Sequence, residues 1–587
     1  MALASLGLNL AGATWGLPAR WHPDEKADVS ARMAATGDLS PDSFINPSLP
    51  LYLMLPVVAV QSRAAAAGLL GGHAADPLLA GRVLSALAGA AAVLVLGLAA
   101  RSAYAGLGIW PALFLAASPG FVNLCHFATP EPWLLLGAAA TLAAAVGHAA
   151  GRVPAWALGL VLGLAVSTKY TAAALAAPAL LAVWLRSGGA APRRLDRAAF
   201  VLAGLAALGL GAALAGPSGQ ALAARLHVRD ARLLHPEGAL AFVASAGWAS
   251  LAVGTALVLA GAAAGRGWKG VDRIARRETL VLLAATATGF FVGTPYALDR
   301  RVVFLSDLAF NHQTRFEYKG LVAASTSYGS YLGLLSDAVT GPLLTAAAVG
   351  LLVALARTRR DASAALVAAA AVAPYLLVAS GGHQALRFLA PALPGVAWLA
   401  ALGVGAVADA RLGRIAALLV ASRAALGALL VTRLFFTDSR LIAREWLARN
   451  VPPGETIDLI ANNPGYAPPA PLGRRIRMVP VLSREMAPPE KFAEAASRYR
   501  DEAAGWLVLT ASYYERFLEH PAQAPERAAF FSDLLEGRGG FEVVARFRQR
   551  GWRRPPAEFL DPEVVVLRRV PAGPEAGRGS RGAPAER

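Results

Sequence analysis

The stretch Ala86-Leu87-Ala88-Gly89-Ala90-Ala91-Ala92-Val93-Leu94-Val95-Leu96-Gly97-Leu98-Ala99-Ala100, closed by Arg101, decides how this chain is read. It completes an apolar block at about 78–100, and about 20 such residues are what a helix needs to cross a bilayer core of about 30 Å. Blocks of similar length recur through the first 432 positions. Across all 587 residues the hydrophobic share is 56% and the charged share 16%, against about 45–50% and about 25% in soluble proteins. Mean hydropathy is +0.48. The fold class is therefore an α-helical polytopic membrane protein. Cys125 is the single cysteine, so neither an internal disulfide nor a thiolate metal cluster can form.

A formal charge of +17 raises the question of nucleic acid, and its distribution answers it. From Arg433 onward 24 basic and 20 acidic residues nearly balance. The excess sits in short connectors: Arg186, Arg193, Arg194 and Arg197; Arg266, Lys269, Arg273, Arg276 and Arg277; Arg357, Arg359 and Arg360; Arg411 and Arg414. Basic residues in short loops mark the cytoplasmic side of a membrane protein. Trp268 is the one aromatic residue among them, too few for the stacking platform a single strand requires, so no nucleic-acid partner is expected.

Counting from those connectors gives about 13 spans within 1–432 and leaves 433–570 outside. The block at 50–70 carries Gln61, Ser62 and Arg63, read as lying at its centre. An arginine at mid-membrane costs about 2.5–3.5 kcal/mol, so this block is read as an interfacial helix within a long outside loop, 18–77. Residues 1–17 are short for a span, which suggests a start upstream of Met1. Residues 433–570 alternate helix-like and strand-like segments, the pattern of a small extracytoplasmic α/β domain. Strands are expected at Thr456–Ala461, Trp506–Thr510, Phe541–Phe547 and Val564–Arg568. Residues 571–587, rich in Gly, Pro, Ala and Arg, read as a disordered tail.

The outside loops hold the chemistry. Trp21-His22-Pro23-Asp24-Glu25-Lys26 follows the first span and sets two carboxylates where water meets the membrane. A carboxylate there serves as general base for an acceptor hydroxyl; the pair Asp24 and Glu25 is also a candidate for a divalent cation, or a solvated polar loop. The second loop carries His126 and Glu131, its one acid. Ser167-Thr168-Lys169-Tyr170 holds one of only five lysines in the chain, a compact charge suited to a phosphate oxygen; a snorkelling lysine reads the same way. His383 and Arg387 lie in a fourth loop, and Arg300, Arg301, His312, Gln313, Arg315 and Lys319 in a fifth read over 298–340. Cations gathered outside oppose the charge rule and point to an anionic ligand, or to lipid headgroups.

Further segments complete a pattern: Asn46-Pro47-Ser48-Leu49-Pro50, Arg82-Val83-Leu84-Ser85, Thr294-Pro295-Tyr296-Ala297-Leu298-Asp299, Arg387-Phe388-Leu389-Ala390-Pro391, and Asp438-Ser439-Arg440 with Ala443-Arg444-Glu445-Trp446-Leu447 after the last span. In this order they resemble glycosyltransferase family 39 of the GT-C superfamily, which includes protein mannosyltransferases and lipid A aminoarabinose transferases. The resemblance covers about 10–570. It implies a bacterial inner membrane enzyme that transfers a sugar from a polyprenyl-phosphate carrier to a hydroxyl or amine of a lipid, glycan or protein, with inversion. It implies Asp24 as the acidic catalytic residue with Glu25 beside it, Glu131 where relatives usually carry aspartate, and Lys169 and Arg387 near the donor phosphate. Tyr170 is read beside Lys169 at that phosphate, and His22, His126, Glu131, Tyr296, Arg300 and His383 are the other cavity candidates. No cofactor is required, with a divalent cation left open. Glu25 or Glu131 would offer a negative wall to an oxocarbenium-like sugar. The rival reading is a transporter or flippase for a charged lipid, against which stand the absence of internal symmetry and the clustering of charge at one face.

Overall fold

With no water in a bilayer core to satisfy backbone groups, a chain this apolar must fold its spans as helices, and it does. The computed structural model describes residues 1–186, 192–229, 234–266, 268–315, 317–318, 321–322, 328–358, 360–407, 409–461, 465, 467–479, 489–548 and 559–570. The tail at 571–587 and Lys319 lie outside the described residues. Among the described residues, eight helices are long and apolar enough to cross a membrane, or nine if the pair Tyr328–Val339 and Gly341–Arg357, bent by 113°, is one span. The chain is thus a multi-pass membrane protein.

The count of thirteen is not reproduced, because several apolar blocks break into shorter helices. The block near 106–122 becomes Ile109–Ala117 and Pro119–Cys125, split where Ser118 precedes a proline and takes extended backbone, as residues before proline prefer. The blocks around 154–185 become Ala155–Val166, a 3-10 turn at Tyr170–Leu175, and Ala176–Arg186. Arg63 is not central to its helix. That helix runs Leu49–Ala66 with Arg63 in the last turn, and it meets the length and composition of a span. The stretch 298–340 is not simply a loop, since it contains Arg301–Thr314 and Tyr328–Val339; the first of these is too polar to look like a span.

Two features position the site. Ala155–Val166 packs against Arg277–Gly293 so closely that a Cβ on Gly163 would lie 2.1 Å from the Thr286 carbonyl oxygen, the small-residue contact that lets helix backbones meet. That contact sets Ser167 beside Thr294, their hydroxyls 2.6 Å apart, and so fixes the base of the Lys169 loop. The segment Leu386–Val404 is almost wholly enclosed, 89% buried, as expected of a helix apolar all round; Arg387 stands at its entrance.

Residues after the last span form a five-stranded sheet in the order Arg475–Met478, Thr456–Leu459, Trp506–Thr510, Val564–Arg569, Phe541–Phe547. The first three are parallel, and Val564–Arg569 runs antiparallel to both neighbours. Alternation of period two sends Leu507, Leu509, Val565 and Leu567 toward Phe530 and Phe531 on one face, and Val508, Val564 and Val566 toward Ala443 and Leu447 on the other.

Candidate active site

Adjacent carboxylates Asp24 and Glu25 meet opposite fates. Arg82, buried in the helix Pro77–Ala103, donates from Nε and Nη2 to both oxygens of Glu25 at 2.7 Å. Its Nη1 donates to the carbonyls of Ala13 at 2.7 Å and Trp15 at 2.6 Å. A charged group in an apolar helix needs such partners. Glu25 Oε1 also accepts the Ala128 N–H at 2.9 Å, while Lys26 N–H donates to the Ala128 carbonyl at 3.2 Å. Burial pushes the Glu25 carboxyl up, but Arg82 pulls harder and holds it below the usual carboxylate value. Glu25 is therefore a strut that ties the first loop to the second. It does not line the cavity, which corrects the expectation that it faces the sugar.

Asp24 turns the other way. It lines a cavity of about 510 Å³ together with Glu131, Lys169, Tyr170, His383 and Arg387. Its side chain is 43% exposed, and its Oδ2 stands 3.7 Å from Arg387 Nη1, beyond a direct hydrogen bond. Lys169 pairs with buried Glu131. Both cations hold the face of one ring: Lys169 Nζ is 5.4 Å and Arg387 Cζ 5.5 Å from the Phe388 centroid, within cation–π range. Two cations gathered on one ring favour an anion between them. The Tyr170 hydroxyl donates to the Phe44 carbonyl at 2.7 Å, which commits its proton away from a ligand.

Four other expected candidates do not line it. His22 lies beneath Asp24, accepting the Asp24 N–H on Nδ1 at 3.1 Å. His126 is buried, its ring nitrogens 2.6 Å from the Val122 carbonyl and 3.0 Å from that of Ala11, stacked on Phe435 at 4.0 Å. Arg300 donates to the Pro41 carbonyl at 3.0 Å, and Tyr296 sits in the short helix Tyr296–Asp299 away from the lining. Asn46, Thr171, Asn311 and Tyr331 also line the cavity; being neutral, they give no charge signal in the sequence, although Asn46 stands in the segment Asn46-Pro47-Ser48-Leu49-Pro50. Among the described residues no group of three or more His, Cys, Asp or Glu is gathered for a metal ion. The pair Asp24 and Glu25 does not fit a divalent cation, since both Glu25 oxygens accept from Arg82.

His22 gives a pH test. Burial pushes its imidazole down to about 4, against the pull of Glu25 and Asp24 and with that of Arg387. The fold thus prefers neutral His22, whose Nδ1 must stay an acceptor. This contribution to stability is complete above the unfolded value near 6.5 and is lost as pH falls toward about 4, amounting to about 3 kcal/mol. Unfolding midpoints of the purified protein at pH 7, 5.5 and 4.5 should fall more steeply for wild type than for His22→Gln; equal slopes contradict this.

Residues 70–214 match the sequence model of the dolichyl-phosphate-mannose-protein mannosyltransferase family. The glycosyltransferase resemblance holds. The matched segment includes Glu131 and Lys169, while Asp24 and Arg387 lie outside it. No curated protein sequence matches the chain. Among solved structures, the chain is similar to ArnT from Cupriavidus metallidurans bound to undecaprenyl phosphate, with 15% identity, 98% of each chain covered and a TM-score of 0.40. It is also similar to the oligosaccharyltransferase AglB from Archaeoglobus fulgidus in complex with an inhibitory peptide and a dolichol-phosphate, with 14% identity, 91% of this chain and 72% of that chain covered, and a TM-score of 0.43. At these values the two likenesses add nothing to the family match and the geometry.

Proposed function

We propose that this GT-C-type membrane protein moves a sugar from a polyprenyl-phosphate carrier to a hydroxyl or amine acceptor on the extracytoplasmic face of a bacterial inner membrane, with inversion. The observation that carries this reading is one cavity in which Asp24, half-exposed, stands 3.7 Å from Arg387 and shares the lining with Lys169. Asp24 takes the proton from the acceptor as it attacks the anomeric carbon. Lys169 and Arg387 receive the carrier phosphate as it leaves, charge stabilisation in a site partly shielded from water. Glu131, held by Lys169, supplies the negative wall for the developing oxocarbenium character. No nucleotide is needed, because the donor is lipid-linked. The sheet domain after the last span lies on the same outer side in this reading.

The test is incubation of purified protein with a panel of polyprenyl-phosphate sugars, reading released carrier phosphate; release from none of them overturns the proposal. Within that assay Lys169→Gln should raise the donor KM by about 10- to 100-fold, the worth of a charge-assisted bond to phosphate. A variant with wild-type donor saturation removes Lys169 from the phosphate site.

A further inference from the structure

The sheet domain reaches the edge of the transfer site through Phe559. Phe559 lies in the bend before Val564–Arg569 with φ of +67°, and Asp561 with φ of +49°, conformations that a bulky or charged residue keeps only where its surroundings hold it. Those surroundings are a buried bolt between the ends of the sequence. Arg440 Nη2 donates to the Phe559 carbonyl at 2.8 Å, Asp561 N–H donates to Asp438 Oδ2 at 3.0 Å, and Ser439 N–H donates to Asp561 Oδ1 at 3.0 Å. Arg440 is paired with Asp438 at 2.8 Å and lies over Trp21 at 4.5 Å and Trp15 at 5.0 Å. Trp15 Nε1 in turn donates to Asp438 Oδ2 at 3.2 Å.

What this bolt aims is the Phe559 ring. Its centroid is 4.3 Å from that of His22, which also meets Phe127 at 4.2 Å. It is also 5.3 Å from Arg387 Cζ, with Phe388 at 5.5 Å as that guanidinium's second aromatic neighbour. One ring thus touches both groups that flank Asp24: the imidazole that accepts its backbone N–H and the guanidinium that faces its carboxylate.

We propose that Phe559 is a positioning residue for transfer, and that through it the C-terminal domain completes the donor side of the site. The proposal rests on Asp24 as base and Arg387 as phosphate ligand. A long arginine side chain loses considerable rotamer freedom when it must meet a phosphate in one place. Two aromatic neighbours restrict that freedom before the donor arrives, which is preorganisation. They also hold the guanidinium 3.7 Å from Asp24, unlike the 2.7 Å bidentate grip of Arg82 on Glu25. Asp24 thereby stays available to take a proton. The ring's negative face is what matters in this account, since an aliphatic side chain would fill the space without attracting a cation.

The experiment uses the full chain in lipid nanodiscs and has two arms. In the first, the variant His22→Cys with Phe559→Cys and Cys125→Ala is challenged with a short bis-maleimide; a cross-link is expected, and its absence overturns the placement. In the second, donor saturation is compared for wild type, Phe559→Leu and Phe559→Tyr alongside their thermal midpoints. Phe559→Leu should raise the donor KM about 3- to 30-fold, the worth of a cation–π contact, with the midpoint nearly unchanged, and Phe559→Tyr should stay within about twofold of wild type. Wild-type kinetics in Phe559→Leu, or equal losses in Leu and Tyr, overturn the proposal. If the cysteine variant cross-links but the wild-type protein releases no carrier phosphate from any donor, the transferase reading falls and this proposal with it. A wild-type protein that turns over normally while Phe559→Leu matches it sinks the proposal alone.

Discussion

Asp24→Asn is expected to lower kcat by about 10²–10⁴-fold, the usual worth of a general base, while donor binding persists. Asparagine keeps the volume of the side chain and the backbone N–H that His22 accepts at 3.1 Å. Its amide oxygen can still face Arg387, 3.7 Å away in the native protein. What it lacks is a group that takes a proton. The loss should therefore fall on the chemical step and leave the donor KM near wild type, the mark of an interaction made chiefly in the transition state. Steady-state release of carrier phosphate, measured with protein that inserts and unfolds at the wild-type temperature, is the check. An Asp24→Asn variant within tenfold of wild-type kcat contradicts the assignment.

Arg82→Met should produce the largest loss of stability from a single substitution. It removes four hydrogen bonds at once, two to Glu25 and one each to the carbonyls of Ala13 and Trp15. It also leaves Glu25, 6% exposed, as a buried charge without its partner. Breaking a buried pair by removing one member costs about 3–5 kcal/mol, a large share of the roughly 5–15 kcal/mol that holds a typical domain. The first loop would lose its attachment to the second, and activity should fall with the thermal midpoint. Adding Glu25→Leu to Arg82→Met should recover much of the stability, because two apolar groups replace a buried pair at little net cost. Thermal unfolding of the two variants in detergent checks both statements; a single mutant as stable as wild type, or a double mutant no better than the single, refutes them.

The helical membrane fold was legible because bilayer thickness dictates helix length, so apolar blocks can be read without knowing any contact. Block length alone did not show where a helix breaks, as at Ser118. In the sheet domain, Trp506–Thr510 and Phe541–Phe547 follow the expected strands. The strand Arg475–Met478 went unread: it is an edge strand with arginines at 475 and 477, the charged disguise that edges commonly wear. At the cavity, Asp24, Glu131, Lys169, Tyr170, His383 and Arg387 could be named because charged and polar side chains at span ends are scarce. Glu25 could not be told apart from Asp24, since the two differ only in which way each points, and the partner that decides it is Arg82 in another helix. The Phe559 contact was invisible, because nothing local to a phenylalanine near the end of the chain records that it lies against His22 and Arg387.

The account turns on a lipid phosphate sitting where the cations face Asp24, so the most direct measurement is an experimental structure of the protein with a polyprenyl phosphate bound. The phosphate oxygens should lie about 2.7–2.9 Å from Lys169 Nζ and from the Arg387 guanidinium, with Asp24 on the opposite side of the space left for the sugar. A phosphate found away from this cavity, with Lys169 and Arg387 contacting neither it nor the lipid, would contradict the account.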